Sequence, residues 1–524
     1  MQRIIVLGAG FAGLWSAVGA ARALDERGIG PDRVQVTVVN ATRWHCIRVR
    51  NYEADLSDAR VPLADILEPI GVRLVVGKVV GLSVADRTVT CVAGSQPSRV
   101  AYDRLVFALG SRLVRPPIPG LREHTFDVDT YEAAICLGAH LAGLVRRPRS
   151  AARDTVLVVG AGLTGIEVAT EMCGRLRVAL ADDPKAQPRV ILADRTEGIG
   201  SDMGESARPV IAAALKALHV ETRPEVAVAA IDAGGAMLTT GERIDAETVI
   251  WCAGMEASPL TACFPVARDR FGRLPVKPSM KIDGLAGEFA AGDVAWFAID
   301  GTHSCVMSCQ HGRPMGRFAG HNVVSDLLGE PMMPLTVGWY TTILDLGAWG
   351  ALYTEGWERQ VVAQRAIAKR TKETINRQRI YPPLSRDRRR FLLPRRRSCR
   401  CLRPMRRRRP RSPNKAGRAL AGFMNRNMVS RSAARVFEAL VGDFAGCDHP
   451  SYYDLVPGAY GPSSAVELSH LMSGDDIIVS KFGRSLLVEP SPKTRCAAVS
   501  DSPLWAMNVT TQARALGLSD APRG

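Results

Sequence analysis

Two stretches of the chain repeat one succession of apolar and polar positions. The first begins with Ile4-Ile5-Val6-Leu7, and this run predicts a buried strand over 3–8. Glycines at 8, 10 and 13 follow, and residues 12–27 then carry Ala, Leu and Val at helical spacing. Gly28, Gly30 and Pro31 break the helix before a second apolar run at 34–39. The second stretch has a strand at 155–159, a glycine turn at 160–165, a helix over 166–176 and a strand at 189–193. Each reads as a βαβ unit with a parallel sheet. The recurrence is that of a functional module, not of a short-period solenoid.

The pattern elsewhere is sparser. Strands are predicted at 73–76, 88–92, 104–108 and 248–251, and a strand-like run spans 287–293. Residues 112–120 are proline-rich and suit a crossover between domains. Residues 308–328 read as a helix after a polar turn, and 361–378 as a basic helix. Between them, residues 335–357 hold Trp339, Tyr340, Trp349, Tyr353 and Trp357. Residues 386–413 are an Arg/Pro-rich segment expected to lack structure. Beyond it only short helical patterns occur, such as 433–440.

Composition narrows the class. A chain of 524 residues, 46% hydrophobic and 23% charged, is globular and has room for two or three domains. The formal charge of +16 is local: residues 386–411 hold fourteen arginines against Asp387. The remainder gives no reason to expect nucleic-acid binding. Twelve cysteines are scattered without a C-x-x-C pair, which argues against a zinc site and against a secreted disulfide framework. No signal-type segment opens the chain and no apolar run is long enough to span a bilayer, so any membrane contact is expected to be peripheral.

The chemistry rests on the glycine turns. In Gly8-Ala9-Gly10-Phe11-Ala12-Gly13, one glycine makes the tight turn, one lets backbone approach a pyrophosphate, and one lets the helix pack on the sheet. The helix N-terminus then offers free N–H groups and a favourable dipole. The acidic residue expected after the second strand is replaced by Asn40, which can still accept from a ribose hydroxyl. The second turn, Gly160-Ala161-Gly162-Leu163-Thr164-Gly165, is followed by Glu167. Its second strand ends at Asp194, a carboxylate suited to ribose hydroxyls and so to NADH over NADPH, or else a solvated turn residue. Two such sites are explained by a resident flavin and a transient nicotinamide.

In these motifs and their order, the chain over roughly 1–385 resembles the two-dinucleotide-binding flavoproteins of the pyridine nucleotide oxidoreductase superfamily, and within them the type II NADH dehydrogenases. Gly8, Gly10 and Gly13, with Phe11 and Ala12 between them, match the FAD turn. Leu105 to Ser111, with Gly110, matches the return to the flavin. Val249 to Gly254 matches the exit from the NADH domain. Gly287 to Asp293 matches the late flavin motif, in which Gly292 and Asp293 approach the ribityl chain. Disulfide reductases of this superfamily carry C-x-x-x-x-C after the first βαβ unit. Here only Cys46 is present, so a redox dithiol is not expected and Cys46 reads as a packing residue. Quinone-reducing members carry A-Q-x-A-x-Q-x-G. Gln310 and Gly316 align with it, whereas Pro314 replaces the second glutamine. Gln310 is a candidate for a quinone carbonyl or a helix cap. Glu167 is a candidate for proton delivery, or a first-turn carboxylate favoured by the helix dipole.

The resemblance implies an α/β fold of two Rossmann-like domains, glutathione reductase-like, with the NADH domain (121–254) inserted between two parts of the FAD domain (1–120 and 255–335). Residues 336–385 would form a C-terminal interface or membrane-association segment, 386–413 a linker and 414–524 a tail beyond the resemblance. The implied activity passes hydride from NADH to FAD and electrons on to a quinone. The alternatives are a reductase of an electron-transfer protein such as ferredoxin, and a non-catalytic flavin-binding redox sensor. The expected cofactor is FAD, with NADH as substrate and no metal. A membrane surface and a second copy of the chain are further candidate partners, and the expected location is the cytoplasm or the inner face of the cell membrane.

Overall fold

The computed structural model describes residues 1–94 and 96–392, and the backbone of 477–482, 485–490 and 497–500. It falls into two compact units, Met1–Pro394 and Arg395–Gly524. In the second unit the strands Ile477–Phe482, Ser485–Pro490 and Ala497–Ser500 form an antiparallel sheet. The pattern at 433–440 and the arginines beyond 392 lie outside the described residues.

The first unit is organised by two parallel sheets. One has the order Glu288–Ala290, Arg104–Phe107, Gln2–Leu7, Val34–Asn40, Arg73–Val76. The other has the order Val220–Arg223, Arg189–Ala193, Thr155–Val159, Thr248–Trp251. The central strand of each is buried along nearly all its length, from Ile4 to Leu7 and from Thr155 to Val159. Such uninterrupted apolar runs are what a parallel sheet covered on both faces requires. The second sheet lies wholly within the sequence between two strands of the first. The chain passes between them through Ser111–Leu113 and Met255–Ala257, which pair antiparallel. The fold is therefore the mixed α/β arrangement expected from the sequence.

One packing contact positions the late motif. Gly312, Gly316 and Gly320 recur at four-residue spacing along the helix Cys309–Leu327, on the side facing the helix Phe11–Asp25. A Cβ at Gly316 would lie 2.2 Å from the carbonyl oxygen of Ala12, and one at Gly320 would lie 2.1 Å from that of Ser16. Only glycine permits the two backbones this approach.

The region after 335 differs from its reading as an aromatic segment followed by a helix from 361. It is an antiparallel sheet of Thr341–Asp345, Ala351–Glu355 and Gln360–Gln364. The helix begins only at Arg365, runs to Thr374 and continues as a π-helical turn, Ile375–Arg379. Residues 360–364 alternate inward and outward on the sheet edge, so strand pairing overrides their helical pattern. The aromatic side chains are largely used inside the chain. Tyr340 and Tyr353 are buried, and Trp357 stacks on both His303 (4.4 Å) and Tyr340 (4.6 Å). The strand-like 287–293 shortens to Glu288–Ala290. At the end of the unit, Arg388–Leu392 forms a short helix with Phe391 and Leu392 in the core. Arg386 and Arg388 of the arginine run there pair with Asp65 and Asp25.

Candidate active site

The two glycine turns have nearly the same geometry. Gly8 (φ +90°) and Gly160 (φ +103°) occupy the left-handed region at the strand ends. A Cβ at Gly13 would lie 1.9 Å from Gly8 O, and one at Gly165 would lie 1.7 Å from Gly160 O, so each helix meets its own turn. At the middle glycines, Gly10 and Gly162, a Cβ would have nothing within 4 Å. These positions form the open floor of each turn. No side chain caps either helix, which leaves the first N–H groups of both free for a phosphate.

The residues ending the second strands act on the turns themselves. Asn40 Oδ1 accepts from Ala9 N (2.9 Å), while its Nδ2 donates to the carbonyl of Thr42 (2.8 Å). Asp194 does the equivalent: Oδ2 accepts from Ala161 N (2.6 Å), and Oδ1 from the N–H and hydroxyl of Thr196. Burial disfavours the Asp194 charge, but these donors and Arg195 outweigh it and hold its carboxyl below the usual range. Both side chains thus brace the glycine turn, a contact expected neither of a ribose ligand nor of a solvated turn residue.

The late motif converges on the first turn. Gly292 (φ +79°) would place a Cβ 2.7 Å from the side chain of Ala12. Next to it, the half-buried Asp293 accepts from the hydroxyl of Ser111 (2.6 Å) and lies 4.0 Å from Arg48. Arg48 also pairs with Asp129 and donates to Ser111 Oγ (3.0 Å). Burial pushes the Asp293 carboxyl up, against the pull of Ser111 and Arg48. Gly110 (φ +68°) and Gly254 (φ +84°) sit at the two crossovers; Gly110 O accepts from Ser258 N (2.9 Å) and Gly254 O from Val114 N (3.1 Å).

Glu167 is a buried carboxylate with two hydrogen-bond donors. Only 8% of it is exposed, and its Oε1 accepts from Lys372 Nζ (2.6 Å) and from the main-chain N–H of Asp345 (3.0 Å). Burial pushes its carboxyl up, against the attraction of Lys372. Lys372 also donates to Ile343 O (3.1 Å) and is within electrostatic reach of Cys309, which in turn feels Asp293. The pair is thus within electrostatic reach of the first residue of the Cys309–Leu327 helix, the same helix that packs on Ala12.

Gln310 neither caps that helix nor points free. With its amide oriented to satisfy both groups, it donates to Thr341 O (2.8 Å) and accepts from Thr341 N (3.1 Å). Ser308 takes the cap position. Cys46 is half-buried, and burial pushes its thiol up to about 11, far from the range of a reactive thiolate.

Two histidines escaped the sequence reading. His45 is fully buried, packs edge-on against Phe11 (5.2 Å) and places Nδ1 2.8 Å from Ala9 O; its Nε2 has no partner. His311, also buried, accepts from Val306 N (3.0 Å) and likewise leaves Nε2 without a partner. Burial lowers both to about 4. The sequence signal was their position, one in the stretch just after the first module and one beside Gln310.

Two glycine turns of like geometry, with a carboxylate motif returning to the first, are the features that bear on the family of this fold. A family profile described as pyridine nucleotide-disulphide oxidoreductase matches residues 2–316. The chain belongs to this family and is an NADH dehydrogenase-like oxidoreductase; the family implies use of FAD and NAD(P)H. It is 55% identical over 385 residues to an NADH dehydrogenase-like protein of Mycobacterium tuberculosis, covering 74% of this chain and 96% of that protein. It is 28% identical over 321 residues to a type II NADH:quinone oxidoreductase of the same species, covering 56% and 66%. Among solved structures, NDH2 of Plasmodium falciparum in complex with RYL-552 aligns with a TM-score of 0.62 at 12% identity, over 74% of this chain and 96% of that one.

Proposed function

We propose that the protein oxidises NADH through FAD and passes the electrons to a quinone. Residues 1–120 and 255–335 make the FAD domain, 121–254 the NADH domain, and 336–385 the segment bordering the acceptor. Gly8, Gly10, Phe11, Ala12, Gly13 and Asn40 cradle the FAD pyrophosphate, and Gly110, Gly292 and Asp293 the ribityl end. The fit rests on the open floor at Gly10, the uncapped helix above it and the carboxylate at Asp293. Gly160, Gly162, Gly165 and Asp194 hold NADH, with Gly254 closing the crossover. The carboxylate of Asp194 favours NADH over NADPH, and the neighbouring Arg195 softens that preference.

Bound FAD supplies the hydride acceptor and the two-electron donor. The chain supplies orientation, exclusion of water and a proton. The buried Glu167 carboxyl is the group that holds this proton, on Oε2, because Oε1 already accepts from Lys372 Nζ and Asp345 N. The buried Glu167–Lys372 pair is the observation that carries the reading. In this reading the pair is a proton-exchanging couple between the NADH-domain helix and the segment beside Gln310, where a quinone needs protons as well as electrons. Gln310 helps shape that side through Thr341. Among the described residues no helix is long and apolar enough to cross a membrane. We assign access to a lipid-soluble quinone to peripheral contact at the inner face of the cell membrane, as the resemblance to type II NADH dehydrogenases implies. Anaerobic mixing with NADH, followed by a short-chain quinone, tests the reading: the flavin absorbance should bleach and then return.

A further inference from the structure

Glu167 has a partner that the glycine motifs do not announce. The strand Thr341–Asp345 ends at a carboxylate, and that residue touches Glu167 with its main chain and a set of charges with its side chain. Asp345 N donates to Glu167 Oε1 (3.0 Å). Asp345 Oδ2 accepts from Tyr52 OH (3.1 Å), Oδ1 from Gly347 N (2.9 Å), and both oxygens from Lys369 Nζ (2.7 and 2.8 Å). Asp345 and Tyr52 are buried, whereas Lys369 keeps 28% of its side chain exposed.

The arrangement is held in place. Gly347 (φ +57°) would put a Cβ 2.5 Å from Thr170 O, one turn along the helix that carries Glu167. The strand end and the helix are therefore in backbone contact, and Asp345 cannot swing away from Glu167 without breaking it. Tyr52 is held from the other side, since its carbonyl accepts from Arg175 of that same helix (3.0 Å).

We propose that Asp345, balanced by Lys369 and Tyr52, is a positioning residue that sets how tightly Glu167 holds its proton. This rests on the reading of Glu167 as the proton-holding carboxyl. The physical basis is like-charge repulsion in a buried site: a second carboxylate anchored to the first favours its protonated form, and a cation compensating that carboxylate weakens the effect. The charged and titratable groups acting on Glu167 are Lys372 from the Arg365–Thr374 helix, Asp345 from the strand and Tyr52 from the first half; beyond them Lys369, Glu53, Glu171 and Arg175 act on Asp345, on Tyr52 or on one another, and Cys309 acts on Lys372. Burial raises the Glu167 carboxyl and the charge of Asp345 pushes in the same direction, while Lys372 and the hydrogen bond from Asp345 N oppose it. Tyr52 is held protonated by burial and by the carboxylates of Glu167 and Asp345, so it serves Asp345 as a donor.

Infrared titration of the purified full-length flavoprotein tests this without turnover. The carboxyl band of Glu167 is assigned by its loss in Glu167→Gln, and its midpoint is followed with pH. Asp345→Asn keeps the shape and main-chain N–H of Asp345 but removes its charge, so the midpoint should move to lower pH. Lys369→Met removes the compensating cation, so the midpoint should move to higher pH. Tyr52→Phe removes a donor to Asp345 and should also move it to higher pH, which provides a second reading if one variant folds poorly. A loosened structure would move all three in one direction. Shifts of one common sign, or no shift, overturn the proposal. Anaerobic flavin bleaching by NADH, measured on the same samples, separates this failure from a failure of the proposed function.

Discussion

Lys372 Nζ donates to Glu167 Oε1 at 2.6 Å, across 205 residues of sequence. The contact joins the helix that opens the second dinucleotide turn to the helix that follows the C-terminal sheet. It turns a glycine-motif neighbour into a buried ion pair.

Removing one member leaves a buried charge without its partner. Lys372→Met should cost about 3–5 kcal/mol of stability, and adding Glu167→Gln should recover much of it. Chemical denaturation of both single variants and the double variant measures the coupling.

The same carboxylate should be separable from hydride transfer. Glu167→Gln should leave NADH bleaching of the flavin largely intact and slow its reoxidation by quinone by about 10²-fold, the lower range for a positioned acid. Stopped-flow measurement of the two half-reactions distinguishes them.

The three glycines of the first turn should fail in different ways. Gly13→Ala forces a Cβ to within 1.9 Å of Gly8 O, so the protein should lose stability and flavin together. Gly10→Ala meets nothing within 4 Å in the protein and keeps an ordinary φ of −67°, so the fold should survive while FAD is released more readily. Thermal melts and the bound flavin-to-protein ratio read out the contrast.

How far the sequence carried this account depended on range. The strands at 155–159, 189–193 and 248–251 were legible to the residue, because an apolar run in a doubly covered parallel sheet leaves little choice. The glycine turns were legible because their spacing follows from local sterics. Asn40 and Asp194 were legible as positions, but not as braces for Ala9 N and Ala161 N. Lys372, Asp345 and Tyr52 carried no local signature, since packing between distant segments brings them to Glu167. A faint one existed in the basic helix: Lys372 falls four residues after Ala368 and three before Ile375, on the buried side.

The buried histidines give a pH signature. His45 and His311 are lowered by burial from 6.5 to about 4, so the unfolded chain binds more protons than the folded one between those values. Stability from these groups is complete above 6.5 and is lost as pH falls toward 4. The melting temperature should fall over this window, and less steeply in His311→Asn.

The bracing role of Asp194 predicts a double effect. Asp194→Ala should weaken NADH binding by about tenfold, through loss of a charged hydrogen bond, and should loosen the second turn. The KM for NADH should rise with little change for NADPH, and hydrogen exchange at Ala161 should quicken.

The most direct test follows the flavin colour in one anaerobic experiment on the full-length protein. NADH should bleach the bound flavin within the enzyme's turnover time, and a short-chain quinone should restore it. A flavin that stays oxidised with NADH, or a reduced flavin that quinone leaves unchanged, would contradict the account.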